Sequence, residues 1–237
     1  ITGAVGVVDT SGTLNVLAVE EEQLVDSVRY GCIRKAQDVA QCIQRIATRL
    51  EACPALSPGK IKGCYVSLGG QSLMSSQTTI ERKFSTETEI TESLIRQIKE
   101  QARATGVPDR DTVAVLAREF VVGALPQRNP VGTFTDELKA ELTMLYCRPQ
   151  LKDNLNRVFS ERLPIAINGY VIRQLAIASL VLTDEEKHLG CMLVDFGAET
   201  TTVSIYKNGA LRYLATIPMG SRNITRDLTA LNCVEKR

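Results

Sequence analysis

The residues best suited to chemistry in this chain stand at one joint. Asp195, Gly197, Thr200 and Thr201 lie between the apolar run Met192-Leu193-Val194 and an alternating run, Thr201, Val203 and Ile205 against Thr202, Ser204 and Tyr206. The first run reads as a buried strand and the second as a strand with one covered face. A carboxylate that closes a buried strand is costly without a partner, so Asp195 needs a cation or a set of donors. Gly197 lets the backbone turn and come close to a ligand, and Thr200 and Thr201 add hydroxyls and amides at the mouth. Such a hairpin can offer amides to phosphate oxygens and a carboxylate to a hydrated cation. Amide hydrogen bonds from its own turn are the structural alternative for Asp195. His188, the single histidine, has Glu186 and Lys187 as neighbours and reads as a surface residue rather than a catalytic one.

The elements that position this joint follow from periodicity. Residues 1–8 and 14–19 form a hairpin across Asp9-Thr-Ser-Gly-Thr13, and residues 25–33 can continue the meander. Val39, Cys42, Ile43, Ile46 and Leu50 share one helical face, and Pro54 ends that helix. A buried strand over 61–68 stops at Gly69-Gly70. Residues 71–163 differ in character: a polar strand over 78–84, a helix buried through Leu94, Ile95, Ile98 and Ala102, then strands over 112–122 and 137–147. Pro149 opens a helix buried through Leu151, Leu155 and Val158, and the whole suggests a small two-layer module. Residues 165–167 then return as a strand, Asn168-Gly-Tyr reads as a turn, and Ile172, Leu175, Ala176 and Ser179 lie on a connecting helix. The hairpin phrase Val7 to Leu14 recurs as Ile205 to Leu211, each time followed by an amphipathic helix. The second helix is expected to bury Ile224, Leu228 and Leu231.

Composition narrows the classes. The chain has 237 residues, 44% of them hydrophobic, with 28 Lys and Arg against 27 Asp and Glu. Nucleic-acid binding needs clustered positive charge, which a nearly neutral chain of this pattern does not supply. Seven cysteines without a Cys-x-x-Cys pair read as free thiols of a reducing cytosol, most of them buried. No apolar run approaches the roughly 20 residues of a membrane span.

The joint resembles the second phosphate loop of the actin and Hsp70 superfamily, usually worded Asp-x-Gly-Gly-Gly-Thr-Thr-Asp. Its flanks, Thr183-Asp-Glu-Glu-Lys187, Leu189-Gly190, Asn208-Gly-Ala-Leu-Arg212 and Ile217-Pro-Met-Gly-Ser-Arg-Asn-Ile-Thr-Arg-Asp227, are similar to the bacterial cell-division actin homologues of the FtsA family. The similarity is dense over residues 168–231 and looser upstream. Asn129-Pro-Val-Gly132 matches a phrase of that family's inserted module, called 1C. The resemblance implies an α/β chain with an actin-like, ribonuclease H-like fold, partial, carrying an α+β module of the 1C type. Residues 1–70 and 164–188 are then the first half (subdomain 1A), 71–163 the module, and 189–237 the start of the second half (subdomain 2A). A first strand with its own phosphate loop is expected before Ile1, and closing elements after Arg237.

In that family the nucleotide site would map onto Asp195, Gly197, Ala198, Thr200, Thr201, Gly220 and Ser221, with Asp195 ordering water around magnesium. Two departures weaken it. Gly197-Ala198-Glu199 replaces three glycines, and Gly220-Ser221 replaces a Gly-Gly whose helix N-terminal amides would face the nucleotide. Ser221 can equally serve as a helix cap. Glu199 adds like charge worth roughly 3 kcal/mol at about 5 Å and an effective dielectric near 20, unless magnesium or an outward turn offsets it. ATP and magnesium, the family's cofactors, are therefore expected to bind weakly or not at all.

The implied function is that of an actin-like, ATP-dependent adaptor that polymerises, anchors the FtsZ ring to the membrane and recruits division proteins. Its partners would be FtsZ-like and other division proteins and further copies of itself, with no nucleic acid. It would lie in the cytoplasm at the inner face of the cell membrane, a peripheral contact made through regions outside this chain. At most it would be a weak ATPase. A PilM-like pilus assembly platform and a nucleotide-independent actin-like scaffold are the alternatives. A sugar or acetate kinase fits less well, since no catalytic carboxylate stands out over residues 165–182.

Overall fold

The computed structural model describes residues 1–54, 56 and 58–232, so Cys233 lies outside the described residues. Strands β1 (Thr2–Val8) and β2 (Leu14–Glu21) pair antiparallel and are followed by the short β3 (Val28–Arg29) and β4 (Cys32–Ile33). Helix α1 (Ala36–Glu51) leads to β5 (Gly63–Leu68), β6 (Met74–Glu89) and α2 (Glu92–Thr105). Strands β7 (Asp111–Val122), β8 (Leu125–Gln127) and β9 (Phe134–Cys147) precede α3 (Pro149–Arg162), β10 (Ala166–Ile172) and α4 (Arg173–Val181). Helix α5 (Asp184–Leu189), β11 (Cys191–Phe196), β12 (Thr201–Lys207), β13 (Ala210–Ile217) and α6 (Ser221–Asn232) complete the order.

Residues 1–68 and 150–172 form one compact unit centred on α1. Cys42, Ile46 and Leu50 recur at intervals of four and turn toward Val5, Ala18 and Ile61. Val39, Ala40 and Ala47, on the adjoining stripe, pack with Val158 and Phe159 of α3 and with Ile165. Burying each Val, Ile, Leu or Phe side chain here contributes about 1.5–3 kcal/mol. Strands β5 and β10 pair in parallel, with a register shift between Ile167 and Gly169. The expected turn at Asn168-Gly169-Tyr170 is thus a bulge inside a strand, one extra residue absorbed without ending the pairing. Residues 25–33 also depart from expectation. Asp26 and Tyr30 have φ of 58° and 52°, Ser27 turns inward to donate to Asp38 at 2.7 Å, and the meander breaks into a two-residue ribbon.

Residues 69–149 and those from Arg173 onward form the other unit, built on a seven-stranded sheet in the order β11-β12-β13-β6-β9-β7-β8. Helix α2 covers the β6, β9 and β7 part, where Ile80, Ile98, Ala102, Val115, Phe120 and Leu142 make the core. The ladder between β13 and β6 is a single pair, Ala215 with Met74. Side chains extend that seam. Ser75 Oγ accepts from Leu214 N at 2.7 Å, Thr143 Oγ1 donates to the Leu211 carbonyl at 2.9 Å, and Gln77 Nε2 donates to the Arg212 carbonyl at 3.3 Å. Helix α3, read from the sequence as part of the module, belongs to the α1 unit instead, because its apolar face meets α1.

Two expected burials are not observed. Met192, Val194 and Phe196 alternate outward on β11, and Ile224, Leu228 and Leu231 of α6 are 55, 54 and 80% exposed. Periodicity identified the apolar face of α6, whereas β11, read as a continuous buried run, alternates instead, and no layer of the described residues covers either face. Of the cysteines described, only Cys42 and Cys147 are buried, and the other four are partly exposed free thiols. No helix among the described residues is long and apolar enough to cross a membrane.

Candidate functional site

The site is built by β11, β12, the start of α6 and the start of α4, all within one unit. Asp195 pairs across the hairpin with Thr202, and residues 197–200 make the turn, closed by the Gly197 amide donating to the Thr200 carbonyl at 3.0 Å. Neither Gly197 nor Ala198 has a positive φ, so this turn needs no glycine conformation and Ala198 fits without strain.

Helix α6 docks end-on against this turn. The amides of Ser221 and Arg222 donate to the carbonyls of Gly197 and Ala198 at 3.0 and 2.8 Å. The Gly220 amide donates to Asn223 Oδ1 at 3.1 Å. A Cβ on Gly220 would lie 2.6 Å from the Ala198 carbonyl, so Gly220 serves the close approach of two backbones. Thr201 Oγ1 donates to the Met219 carbonyl at 2.8 Å, and Thr200 is buried.

The carboxylates have protein partners. Asp195 Oδ2 lies 2.7 Å from Arg173 Nη2, and Glu199 pairs with Arg222 at 2.5 Å. Beneath them Gln174, 2% exposed, donates through Nε2 to Thr202 Oγ1 at 3.2 Å, and Thr202 shares a hydrogen bond with Thr216 at 3.0 Å. Arg173 and Gln174 were not singled out from the sequence. The available signal was a charged and an amide residue, Arg173-Gln174, opening an otherwise apolar helix.

The structure thus brings Asp195, Gly197, Ala198, Thr200, Thr201, Gly220 and Ser221 together in one corner. There the helix amides that would face a phosphate are used by loop carbonyls, and the Asp195 carboxylate that would face hydrated magnesium holds a guanidinium. In this arrangement the residues present do not fit a magnesium–phosphate group. Among the described residues no group of three or more His, Cys, Asp or Glu side chains could hold a metal ion.

The fold has a solved counterpart in the PilM–PilN type IV pilus biogenesis complex, with a TM-score of 0.65 at 8% identity over 99% of this chain and 63% of that one. The class is therefore an actin-like α/β protein with an inserted α+β module. The family described as the SHS2 domain inserted in FtsA matches residues 70–146, and the family described as cell division protein FtsA matches residues 192–235. Cell division protein FtsA of Porphyromonas gingivalis is 31% identical over 226 residues, 95% of this chain and 47% of the relative. The Pseudomonas aeruginosa FtsA is 25% identical over 96% of this chain and 54% of its own length. The chain belongs to the FtsA family of cell-division proteins. It spans about half the length of the curated relatives it matches.

Proposed function

We propose that this chain is the actin-like core of a cell-division adaptor, which works by protein contact and self-association more than by nucleotide turnover. In this reading residues 1–70 and 150–188, α3 included, correspond to subdomain 1A, 71–149 to the 1C module and 189–237 to the start of 2A. The adaptor links the FtsZ ring to the inner face of the membrane and recruits later division proteins. ATP and magnesium bind weakly or not at all at the loop of Asp195 and Thr200.

The observation that carries this reading is the outer face of the module. A groove of about 400 Å³ between α2 and residues 128–131 is lined by the apolar Ile95, Phe120, Pro130 and Val131 and by three cations, Arg96, Lys99 and Arg128, against one carboxylate, Glu92. Apolar walls beside positive charge suit a segment of a division partner that carries one apolar side chain among acidic ones. A fluorescent fusion of the chain in a dividing bacterium tests the reading. Bands at the division site are expected, weakened by Arg96→Glu with Lys99→Glu. Uniform fluorescence with unaltered division would overturn it.

A further inference from the structure

We infer that Arg173 is a built-in counter-ion of the β11–β12 loop, a guanidinium that takes the place of a divalent cation and lets the loop close on protein groups alone. Three observations converge on it. The first is the contact itself, Arg173 Nη2 at 2.7 Å from Asp195 Oδ2. The position of Arg173 is also fixed from both sides. Gly69 passes beneath it, where a Cβ would sit 3.4 Å from its Nε, and the next residue, Gln174, is anchored in the buried chain to Thr202 and Thr216.

The second observation is charge balance. Asp195 and Glu199 are the carboxylates of the corner, and Arg173 and Arg222 are the cations paired with them. A hydrated magnesium ion approaching Asp195 meets a neutralised pair, and it must displace a group that stays charged at every accessible pH. The third is the spent helix terminus. The Ser221 and Arg222 amides donate to Gly197 and Ala198, so these two helix amides are taken from the anion that a metal would accompany. An ion pair this exposed adds little stability, so its consequence is occupancy of the carboxylate.

Thermal unfolding of the chain in magnesium chloride, against sodium chloride of equal ionic strength, tests the inference. The wild type and Asp195→Asn should unfold at the same temperature in both salts. Arg173→Glu restores an unpaired carboxylate beside Asp195, and its Tm should rise by about 2–4 °C in millimolar magnesium. Adding Asp195→Asn to that variant should abolish the rise. If Arg173→Glu does not fold, Arg173→Gln, which keeps a donor but loses the charge, should show a smaller rise that again requires Asp195. A magnesium-specific gain in the wild type that Asp195→Asn removes would overturn the inference. So would a folded Arg173→Glu protein indifferent to magnesium, or wild-type stabilisation by metal-free ATP that Arg173→Gln removes. These outcomes are separable from the adaptor reading, since localisation at the division site does not depend on what neutralises Asp195.

Discussion

The two hairpin-then-helix segments of this chain share a plan and differ in what surrounds them. In the first, β1 and β2 lead to α1, whose Cys42, Ile46 and Leu50 are 0, 4 and 4% exposed. In the second, β12 and β13 lead to α6, whose Ile224, Leu228 and Leu231, spaced four and then three apart, also share one helical face and remain exposed. Helical periodicity specifies a face, and burial of that face is a property of its neighbours. Helix α1 has α3, β5 and the first hairpin around it, whereas α6 is held by its end, through the amides of Ser221 and Arg222.

The largest expected effect of that difference is on stability. Leu50→Ala should cost about 2–5 kcal/mol through lost transfer energy and a residual cavity. Leu228→Ala should fall within about 0.5 kcal/mol, as for exposed positions in general. Urea titrations of both variants check this, and an equal loss in the two would mean that α6 is covered in solution.

The turns differ next. Asn208 and Gly209 have φ of 51° and 67°, the pair of positive angles typical of a two-residue hairpin loop, and their amides donate to the carbonyls of His188 and Lys187. Arg128 lies over Gly209, so a Cβ there would meet its Cζ at 2.6 Å, whereas a Cβ on Gly12 of the first hairpin would meet nothing within 4 Å. Gly209→Ala should therefore cost about 1–2 kcal/mol in backbone strain and displace Arg128 as well. Gly12→Ala carries the backbone cost alone. A Gly209→Ala protein no less stable than Gly12→Ala would show that the Arg128 contact is dispensable.

A smaller effect concerns association. The outward faces of β11 and α6 present Met192, Val194, Phe196, Ile224 and Leu228 to solvent, and clustered exposed apolar side chains promote contact between proteins. Ile224→Glu with Leu228→Glu should weaken self-association in sedimentation velocity by about tenfold or more, with little change in the unfolding midpoint. Unchanged association would place the contact elsewhere.

The same contrast explains what was legible in the sequence. The elements themselves were readable, because α1, α2 and the strands of the long sheet follow periods of 3.6 and 2. The loop at Asp195 was also readable as a place where polar groups converge. What those groups bind was not, since Arg173 and Asp195 stand 22 positions apart and their pairing depends on how α4 meets the sheet. Likewise the register bulge at Asn168 and the seam from β13 to β6 rest on a few residues, Gly169 in the one and Ser75, Gln77 and Thr143 in the other, whose local sequence resembles an ordinary turn and ordinary strands. Coverage of the β11 and α6 faces was not legible at all, because periodicity contains no information about the opposing layer.

The last prediction separates the two hairpins by pH. The first turn is organised by a carboxylate: Asp9 Oδ1 accepts from the amides of Ser11 and Thr13, each at 2.9 Å, and from the Ser11 hydroxyl at 2.5 Å. The Ser11 hydroxyl bond, followed by the Thr13 amide, holds the Asp9 carboxyl below its ordinary range. A group whose pKa is lower in the folded state contributes stability that is fully present above its unfolded value. That contribution is lost as the pH falls through the folded value. The Asn208-Gly209 turn has no titrating side chain of its own, and its amides are held by the carbonyls of His188 and Lys187. Amide protection factors, corrected for intrinsic exchange, should fall for residues 9–15 as the pH drops below about 4, while those of residues 207–210 hold. Asp9→Asn should remove the pH dependence of the first turn at the cost of weaker protection at neutral pH. Parallel loss in both turns would mean that acid opens the structure as a whole and that Asp9 has no local role in it.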